Sequence, residues 1–267
     1  MPLKRTRSCL RSCWSCCQWP LLAAALFALY LGLEYLLLPD VHALAKENPA
    51  ETSLMRVRNR EALREGRTPG KQMTFVPLKE MSRHLPHAVT VAEDDAFYDH
   101  PGYDEKQIRK SIEIDWKERR LARGGSTITQ QLARNLYLTP SKNPIRKAKE
   151  LLIALRLEEA LSKDRILELY LNVIEWGDGI YGAEAASRAY FGHGCRDLSP
   201  EEAATLAGII PNPRERDPRL RPPIVAKRRH VILRLMARRG YLTRSDYLEA
   251  VQRPVKTLPG PRTKSSK

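Results

Sequence analysis

Cysteine is scarce in this 267-residue chain and is confined almost entirely to its start. Four of the five cysteines fall within the first 17 residues, so Cys195 is the one thiol in the rest of the chain. A lone thiol excludes a disulfide framework there. In the N-terminal group, no histidine or second spaced cysteine pair completes a metal site around Cys9, Cys13, Cys16 and Cys17.

Motifs of several common chemistries are also missing. Beyond residue 40 there is no Ser/Cys/His triad spacing, no cluster of metal ligands and no Walker-type loop, so hydrolase, zinc and NTPase functions lack support. Hydrophobic residues make up 42% and charged residues 29%, a balance that excludes a wholly disordered chain. Only one long apolar run is present, which excludes a membrane protein with several spans.

Acidic residues are too few to balance the basic ones, and the excess lies at the two ends. The chain has 46 Lys+Arg against 31 Asp+Glu, a net charge of +15. Residues 1–17 hold four basic and no acidic residues, and residues 219–267 hold fourteen basic against two acidic. Basic ends bind nucleic acid or anionic lipid headgroups, and composition alone does not choose between them.

The one long apolar run, residues 21–38, is interrupted only by Glu34. Its length predicts a single transmembrane helix, with Trp19 among the interface anchors. Because the basic cluster precedes the run, the positive-inside rule places the N-terminus in the cytoplasm and exports the rest, which argues against nucleic acid as a partner. The alternative is a cleaved signal peptide, since Ala43-Leu44-Ala45 has the form of a cleavage site, although the run is longer than usual for one.

Composition and periodicity divide the chain into five segments. The middle is mainly α, because apolar residues recur at helical spacing and no run of alternating strands is present. The predicted segments are a basic cytoplasmic tail (1–17), a transmembrane anchor (18–39), a solvated stalk or connector (40–72), a folded domain (73–218), and a basic C-terminal helix with a flexible tail from Pro254 (219–267).

Local signals predict helix starts at several points within the folded domain. Ser199 followed by Pro200 and Glu202 has the form of a capping box. Pro144 is suited to the first turn of another helix, and Asp164 is the predicted N-cap of a third.

Carboxylates are the remaining candidates for catalysis. Glu93, Asp94 and Asp95 are consecutive acids followed by the aromatic pair Phe97 and Tyr98. Like charges resist ionising together, and partial burial beside Phe97 raises a carboxyl pKa, so this stretch suits a general base. An ordinary acidic turn at a helix start would have a similar composition.

The second candidate is the stretch RGGSTITQQ at 123–131. Thr127 with Gln130 predicts a capping box, and the free N–H groups of a helix start attract anions. A simple loop and cap is the alternative. Four cations follow, and Arg146 lies one helical turn before Glu150, where a plain surface ion pair is also an interpretation. The cations are Arg134, Lys142, Arg146 and Lys147.

Together these stretches resemble the peptidoglycan glycosyltransferases, which polymerise lipid II. The resemblance runs from about Phe75 to Pro218, and the block NVIEWG at 172–177 is more similar to the stand-alone, monofunctional branch of Gram-negative bacteria than to two-domain penicillin-binding proteins. No Ser-x-x-Lys motif follows residue 40, so we expect no transpeptidase domain. The matching blocks are Glu93-Asp94 with Phe97, His100 and Gly102, then GGSTITQQ at 124–131, RKAKE at 146–150, KDRILELYLNVIEWGDGIYGAEAASRAYFG at 163–192 and LSPEEAATLAGIIPNP at 198–213.

The resemblance implies a mechanism and roles for these residues. Glu93 is the implied general base, taking the proton from the 4-hydroxyl of GlcNAc, whose oxygen attacks C1 of the lipid-linked MurNAc with inversion and loss of undecaprenyl pyrophosphate. Glu150 is the second functional carboxylate, which orients cations or holds a divalent ion. The implied pyrophosphate and donor contacts are Ser126, Gln130, Arg134, Lys142, Arg146 and Lys147. The implied motif-supporting residues are Asp94, Phe97, His100, Gly124, Gly125 and Thr127. The residues implied as scaffold are Tyr170, Asn172, Gly182, Tyr190, Phe191 and Gly192.

The resemblance also implies a mainly α, two-lobed, lysozyme-like domain after a single N-terminal transmembrane helix. No cofactor is required, with Mg or Mn as an option at Glu150. The implied partners are lipid II, the lipid-linked glycan strand, membrane lipids and, as an option, other cell-wall synthases. The implied location is the bacterial inner membrane, with the catalytic domain in the periplasm. Five arginines are expected to lie on anionic lipid, or alternatively to belong to a partner-binding tail: Arg228, Arg229, Arg234, Arg238 and Arg239.

Two other functions compete with this one. A lytic transglycosylase also uses a key Glu on a similar fold, but GGSTITQQ and RKAKE suit a pyrophosphate leaving group that a cleaving enzyme does not meet. A membrane-tethered scaffold without activity is the second, and the presence of both Glu93 and Glu150 argues against it.

Overall fold

The prediction of a mainly helical chain is confirmed. The structure, a computed structural model, describes residues 7–70, 73–109, 125–140 and 143–260. Gly124 and Lys142, two of the predicted site residues, lie outside that part. The chain divides into two compact units, Met1–Asp40 and Val41–Lys267.

The first unit contains helix α1 (Arg7–Leu36), which covers most of the predicted anchor. Large apolar side chains are exposed along it, among them Leu22, Leu26 and Leu33. Within the residues that the structure describes, no helix combines the length and the apolar character needed to cross a membrane.

Residues 41–70 differ from the solvated stalk predicted for 40–72. They contain a short 3₁₀ turn (His42–Ala45) and helix α2 (Ser53–Arg64), whose first turn is capped by the hydroxyl of Thr52. Leu44 and Met55 are buried, and Arg165 donates to the carbonyl of Leu44 at 2.8 Å. The stalk prediction is therefore wrong, because the few apolar residues of this segment fall on faces that pack against the domain.

Four helices form the next part of the second unit. They are α3 (His84–Glu93), α4 (Ile128–Tyr137), α5 (Pro144–Ala160) and α6 (Lys163–Val173). Helix α4 packs against α2, α5 and α6 through a buried face that includes Leu132. Residues 105–109 are also helical.

Two of the predicted helix starts lie in these helices. Pro144 opens α5 as predicted, and Asn143 is its N-cap. The cap predicted at Asp164 is wrong, because the hydroxyl of Ser162 accepts the N–H of Arg165 and caps α6. Asp164 lies in the first turn, where its negative charge interacts favourably with the helix dipole.

A small antiparallel sheet, which the sequence did not predict, joins β1 (Glu175–Gly177) to β2 (Ile180–Tyr181), and α7 (Ala183–Phe191) follows. The hydroxyl of buried Tyr190 donates to the carbonyl of Trp176 at 2.9 Å. The side-chain amide of Asn172 accepts the backbone N–H of Val76 at 2.8 Å and donates to the backbone carbonyl of Val76 at 2.9 Å. Both side chains act here as scaffold.

The C-terminal helices belong to the core of the second unit. They are α8 (Pro200–Ile209), α9 (Pro222–Arg238) and α10 (Arg244–Gln252). The capping box between Ser199 and Glu202 is confirmed. Helix α8 packs against α3 and α9, and α9 buries Ile232 and Met236. The flexible tail predicted from Pro254 is not supported as far as residue 260, since the N–H of Leu258 donates to the carbonyl of Tyr190 at 2.7 Å.

Three of the five arginines expected on lipid instead contact the protein. Arg228 reaches the carbonyl of Ala92 at 3.5 Å, Arg229 is only partly exposed, and Arg239 pairs with Asp95. The period of α9 explains the contacts of Arg228 and Arg229, which share its inward face with Val225 and Ile232, whereas Arg239 follows the helix and pairs with Asp95 at the surface.

Candidate active site

Glu93 is the last residue of α3 and lies half-buried at the helix end. The side-chain amide of Gln131, in the first half of α4, donates to its carboxylate at 3.0 Å. Burial raises the pKa of Glu93 above its ordinary value, while the Gln131 hydrogen bond and nearby arginine charges oppose the rise. A carboxyl with a raised pKa, held by one neutral donor, is a suitable general base.

Three arginines direct positive charge towards Glu93 from different parts of the fold. Arg228 comes from α9, Arg134 from α4 and Arg216 from the loop after α8. Together they favour the ionised form of Glu93 even though the site is partly desolvated. Such a field also stabilises negative charge that develops near the carboxylate during a reaction.

Asp94 ties the end of α3 to the start of α4. It is 1% exposed, and its two oxygens accept from His100 Nε2 and from the backbone N–H of Ile128, each at 2.9 Å. His100 Nδ1 accepts the N–H of Gly102 at 3.2 Å, which leaves the proton on Nε2. Asp94 is therefore structural, and it places Glu93 beside α4.

Position 102 requires a glycine, because of its backbone conformation and because of the atoms around it. Its φ of +90° favours glycine, and a Cβ at this position would lie 2.9 Å from Cγ of Glu158. The hydroxyl of Thr127 donates to the carbonyl of Gly102 at 2.7 Å and also accepts the N–H of Gln130. Thr127 thus caps α4 as predicted, but the second half of the predicted capping box is not formed.

Phe97 stabilises the loop that leads from Glu93 to Gly102. Its ring is buried, and the ammonium of Lys163 lies 4.6 Å from the ring centroid. Lys163 also donates to the carbonyl of His100 at 2.6 Å. The residues predicted to support the first motif are therefore brought together around Asp94.

Exchanging Asp94 for Asn is expected to destabilise the protein by about 1–3 kcal/mol. An Asn side chain must direct its NH₂ group at a donor, either His100 or the N–H of Ile128. The urea midpoint of unfolding measures the loss. Asp95→Asn is the matched control, because the Asp95–Arg239 pair is half exposed and worth about 0–1 kcal/mol. Equal midpoints for the two variants would contradict the structural role of Asp94.

The second cluster is centred on Glu150, whose side chain is 1% exposed. Arg146 donates to one of its oxygens at 2.7 Å and Lys147 donates to the other. The Lys147 ammonium also donates to the hydroxyl of Ser126 (2.8 Å) and to the side-chain oxygen of Gln130 (3.0 Å). Its three N–H groups are all used, so a side chain that is 48% exposed is fixed in place.

The predicted pyrophosphate-binding residues lie at two different places in the structure. Ser126, Gln130, Arg146 and Lys147 meet at Glu150, and Gly125 immediately precedes them in the chain. Arg134 instead lies on the Glu93 side of α4 and lines a cavity of about 220 Å³. That cavity is also lined by Gln131, Tyr170, Glu175, Arg58 and Leu54.

The surroundings of Glu150 do not fit a divalent ion. Both carboxylate oxygens accept from cationic side chains, and a bound metal would displace those bonds against their charge. Within the described residues, no group of three or more His, Cys, Asp or Glu side chains is placed to hold a metal. The two cations at Glu150 provide positive charge without a metal.

Sequence reasoning missed several contributors to the site. Gln131 and Arg216 were assigned no role, Tyr170 was assigned to the scaffold, and Arg228 was expected on lipid. A signal for Gln131 was present, because two consecutive amides in the first half of a buried helix each need a partner. Neighbouring residues on a helix point about 100° apart, so α4 directs Gln130 to Lys147 and Gln131 to Glu93.

The chain is similar to known proteins over most of its length. The chain matches the family model described as Transglycosylase over residues 60–237. The biosynthetic peptidoglycan transglycosylase of Azoarcus sp. (strain BH72) is 46% identical over 207 residues, which cover 77% of this chain and 88% of the relative. The protein of the same name from Dechloromonas aromatica (strain RCB) is 46% identical over 197 residues, covering 74% and 85%.

Among solved structures, the chain is similar to penicillin-binding protein 1A from Haemophilus influenzae. The two are 28% identical with a TM-score of 0.35, over 50% of this chain and 16% of that one. The family model covers well over half of the present sequence, and the two relatives match most of it. The chain therefore belongs to the transglycosylase family, among the biosynthetic peptidoglycan transglycosylases.

Proposed function

We propose that this peptidoglycan transglycosylase of cell-wall biosynthesis polymerises lipid II into linear glycan strands, with inversion at C1 and release of undecaprenyl pyrophosphate. The observation that carries the proposal is the environment of Glu93: a half-buried carboxylate with a raised pKa, held by Gln131 and facing three arginines. The activity is limited to glycosyl transfer, without a transpeptidase step. The two-lobed, lysozyme-like arrangement is part of the same proposal.

The ionised Glu93 takes the proton from the 4-hydroxyl of GlcNAc on the incoming lipid II. The resulting oxygen attacks C1 of the MurNAc at the lipid-linked end of the growing strand. The bond from C1 to the pyrophosphate oxygen breaks on the opposite face, which gives inversion. The proton stays on Glu93 until solvent removes it, so the reaction is balanced without a cofactor.

Lys147 and Arg146 neutralise the pyrophosphate that leaves. The carboxylate of Glu150 accepts hydrogen bonds from both cations and so fixes their positions. The hydroxyl of Ser126 lies next to the Lys147 ammonium. Preorganised charge of this kind stabilises the transition state without a reorganisation cost at the moment of reaction.

The direct test is a polymerisation assay. Full-length protein in detergent is incubated with labelled lipid II, with and without a moenomycin-type inhibitor, and the products are separated on a gel. The proposal expects long, muramidase-sensitive glycan whose formation the inhibitor blocks. Binding of lipid II without polymer would overturn the polymerase function and favour a scaffold. Cleavage of preformed glycan would favour a lytic enzyme.

The proposed location is the bacterial inner membrane, with a single pass at residues 18–39 and the catalytic domain in the periplasm. The support is the exposed apolar surface of α1, where Leu22, Leu26 and Leu33 are each more than half exposed, together with the basic residues before it. Membrane lipids are then partners, and other cell-wall synthases would meet the enzyme on the same surface.

The cysteines allow a test of this orientation. In intact spheroplasts, a membrane-impermeant maleimide is expected to leave the protein unlabelled, because four cysteines lie in the predicted cytoplasmic tail and Cys195 is buried. Permeabilisation should then add up to four labels, counted by mass. Labelling before permeabilisation would contradict the orientation. Absence of labels after it would indicate that the N-terminal segment had been cleaved off.

A further inference from the structure

Tyr170 contacts Glu93 indirectly, through Gln131. The ring of Tyr170 is fully buried in α6, and its hydroxyl donates to the side-chain oxygen of Gln131 at 2.9 Å. The amide nitrogen of the same Gln131 side chain donates to Glu93 at 3.0 Å. The three side chains thus form one chain of hydrogen bonds that links α6, α4 and the end of α3.

The hydroxyl of Tyr170 decides which way the amide points. An amide has one accepting and one donating end, so a donor at one end forces the other end to donate. Burial, with a further contribution from the charge of Glu93, raises the pKa of Tyr170 well above its ordinary value. The hydroxyl therefore stays protonated and donates throughout the working pH range, and the NH₂ group of Gln131 faces Glu93.

We infer that Tyr170 is a positioning residue for the glycosyl transfer, which acts through Gln131 to hold the Glu93 carboxylate ionised and in one orientation. The inference rests on the proposed role of Glu93 as general base. It gives Tyr170 a function beyond the scaffold role that the sequence suggested.

Other groups also face Glu93 and must be separated from this effect. Arg134 on α4, Arg216 after α8 and Arg228 on α9 bring positive charge. Asp94 is adjacent, but its oxygens are taken up by His100 and Ile128. Exchanging Tyr170 for Phe alters none of these charges, so an effect on Glu93 must come through the amide.

The test is the pH profile of lipid II polymerisation by the full-length Tyr170→Phe enzyme. Without the hydroxyl, Gln131 can turn its oxygen towards Glu93, which disfavours the carboxylate. We expect kcat to fall about tenfold, the size of one hydrogen bond's free energy, with KM changed less than about twofold. The acid limb of the kcat profile should move to higher pH, because a carboxyl that loses support for its ionised form has a higher pKa.

Tyr190→Phe is the matched control. Tyr190 is equally buried and loses the same atom, but its hydroxyl bonds to the carbonyl of Trp176. This variant should lose stability yet keep the acid limb of the wild type. An unshifted acid limb in Tyr170→Phe, or an equal shift in Tyr190→Phe, would overturn the inference.

A second variant keeps the test decisive if Tyr170→Phe folds poorly. Gln131→Met removes the amide, so it should reproduce the shift of the acid limb, and adding Tyr170→Phe to it should shift the limb no further. An additive shift contradicts the inference. Glu93→Gln is assayed in parallel: if that variant polymerises, the proposed function fails, whereas an inactive Glu93→Gln with an unshifted Tyr170→Phe removes only the role of Tyr170.

Discussion

Replacing Glu93 with Gln is expected to reduce lipid II polymerisation by about 10²–10⁴-fold, the usual contribution of a general base. Gln has the size of Glu and retains a hydrogen bond with Gln131, but it cannot accept the proton of the attacking hydroxyl. Binding of lipid II should be retained, because the cations around Glu150 are untouched. The measurement is the rate of glycan formation, combined with a binding assay on labelled lipid II.

The same variant should not lose stability at neutral pH. Because burial raises the pKa of Glu93, its contribution to folding is present below its ordinary pKa and is lost as the pH rises through the higher folded value. Neutral pH is above the ordinary pKa of Glu, so the burial of Glu93 costs stability there, and Gln removes this cost. We expect a thermal midpoint equal to or above that of the wild type, with Asp95→Asn as the active control. Turnover of Glu93→Gln at the wild-type rate would show that Glu93 is not the base.

Replacing Glu150 with Gln is expected to lower kcat/KM for lipid II by about 100-fold, the cost of misplacing groups by about 1 Å. Each oxygen of Glu150 accepts from a cation, so the NH₂ group of Gln must face either Arg146 or Lys147. One cation is then released from the position where it would meet the pyrophosphate. The measurement is steady-state kinetics across a range of lipid II concentrations.

Glu184→Gln is the control for a general loss of folding. Glu184 is also largely buried, with one oxygen on Arg188 at 2.6 Å and the other on the N–H of Cys195 at 2.7 Å. It should lose stability to a similar degree while its kcat/KM stays close to that of the wild type. Similar kinetic losses in both variants would mean that Glu150 acts only through stability.

Local signals predicted the helices well, because a cap or a first-turn proline acts through its own neighbours. The capping box at Ser199 and the start of α5 at Pro144 are confirmed. The Asp164 cap was wrong since Ser162, two residues earlier, offers an equally good hydroxyl. Residues 41–70 were misjudged because mixed charge hid the few apolar side chains that this segment buries.

The site was only partly predictable for a related reason. Glu93 and the Arg146–Lys147–Glu150 group were identified from motifs, and the latter group is local because its members lie within one or two turns of α5. The family resemblance placed Arg134 among the pyrophosphate contacts, and the rotation of α4 brings its charge to Glu93.

By itself the sequence determined the helical class and the excess of charge at both ends, since these depend on residue type and short spacing, and its resemblance to a family indicated Glu93 and Glu150 as candidate catalytic carboxylates. Only the tertiary structure decided which groups face Glu93. Gln131 lies 38 residues away along the chain, and Arg228 and Tyr170 come from two further helices. Contacts between distant segments depend on how whole helices pack, and short spacings in the sequence do not indicate that packing.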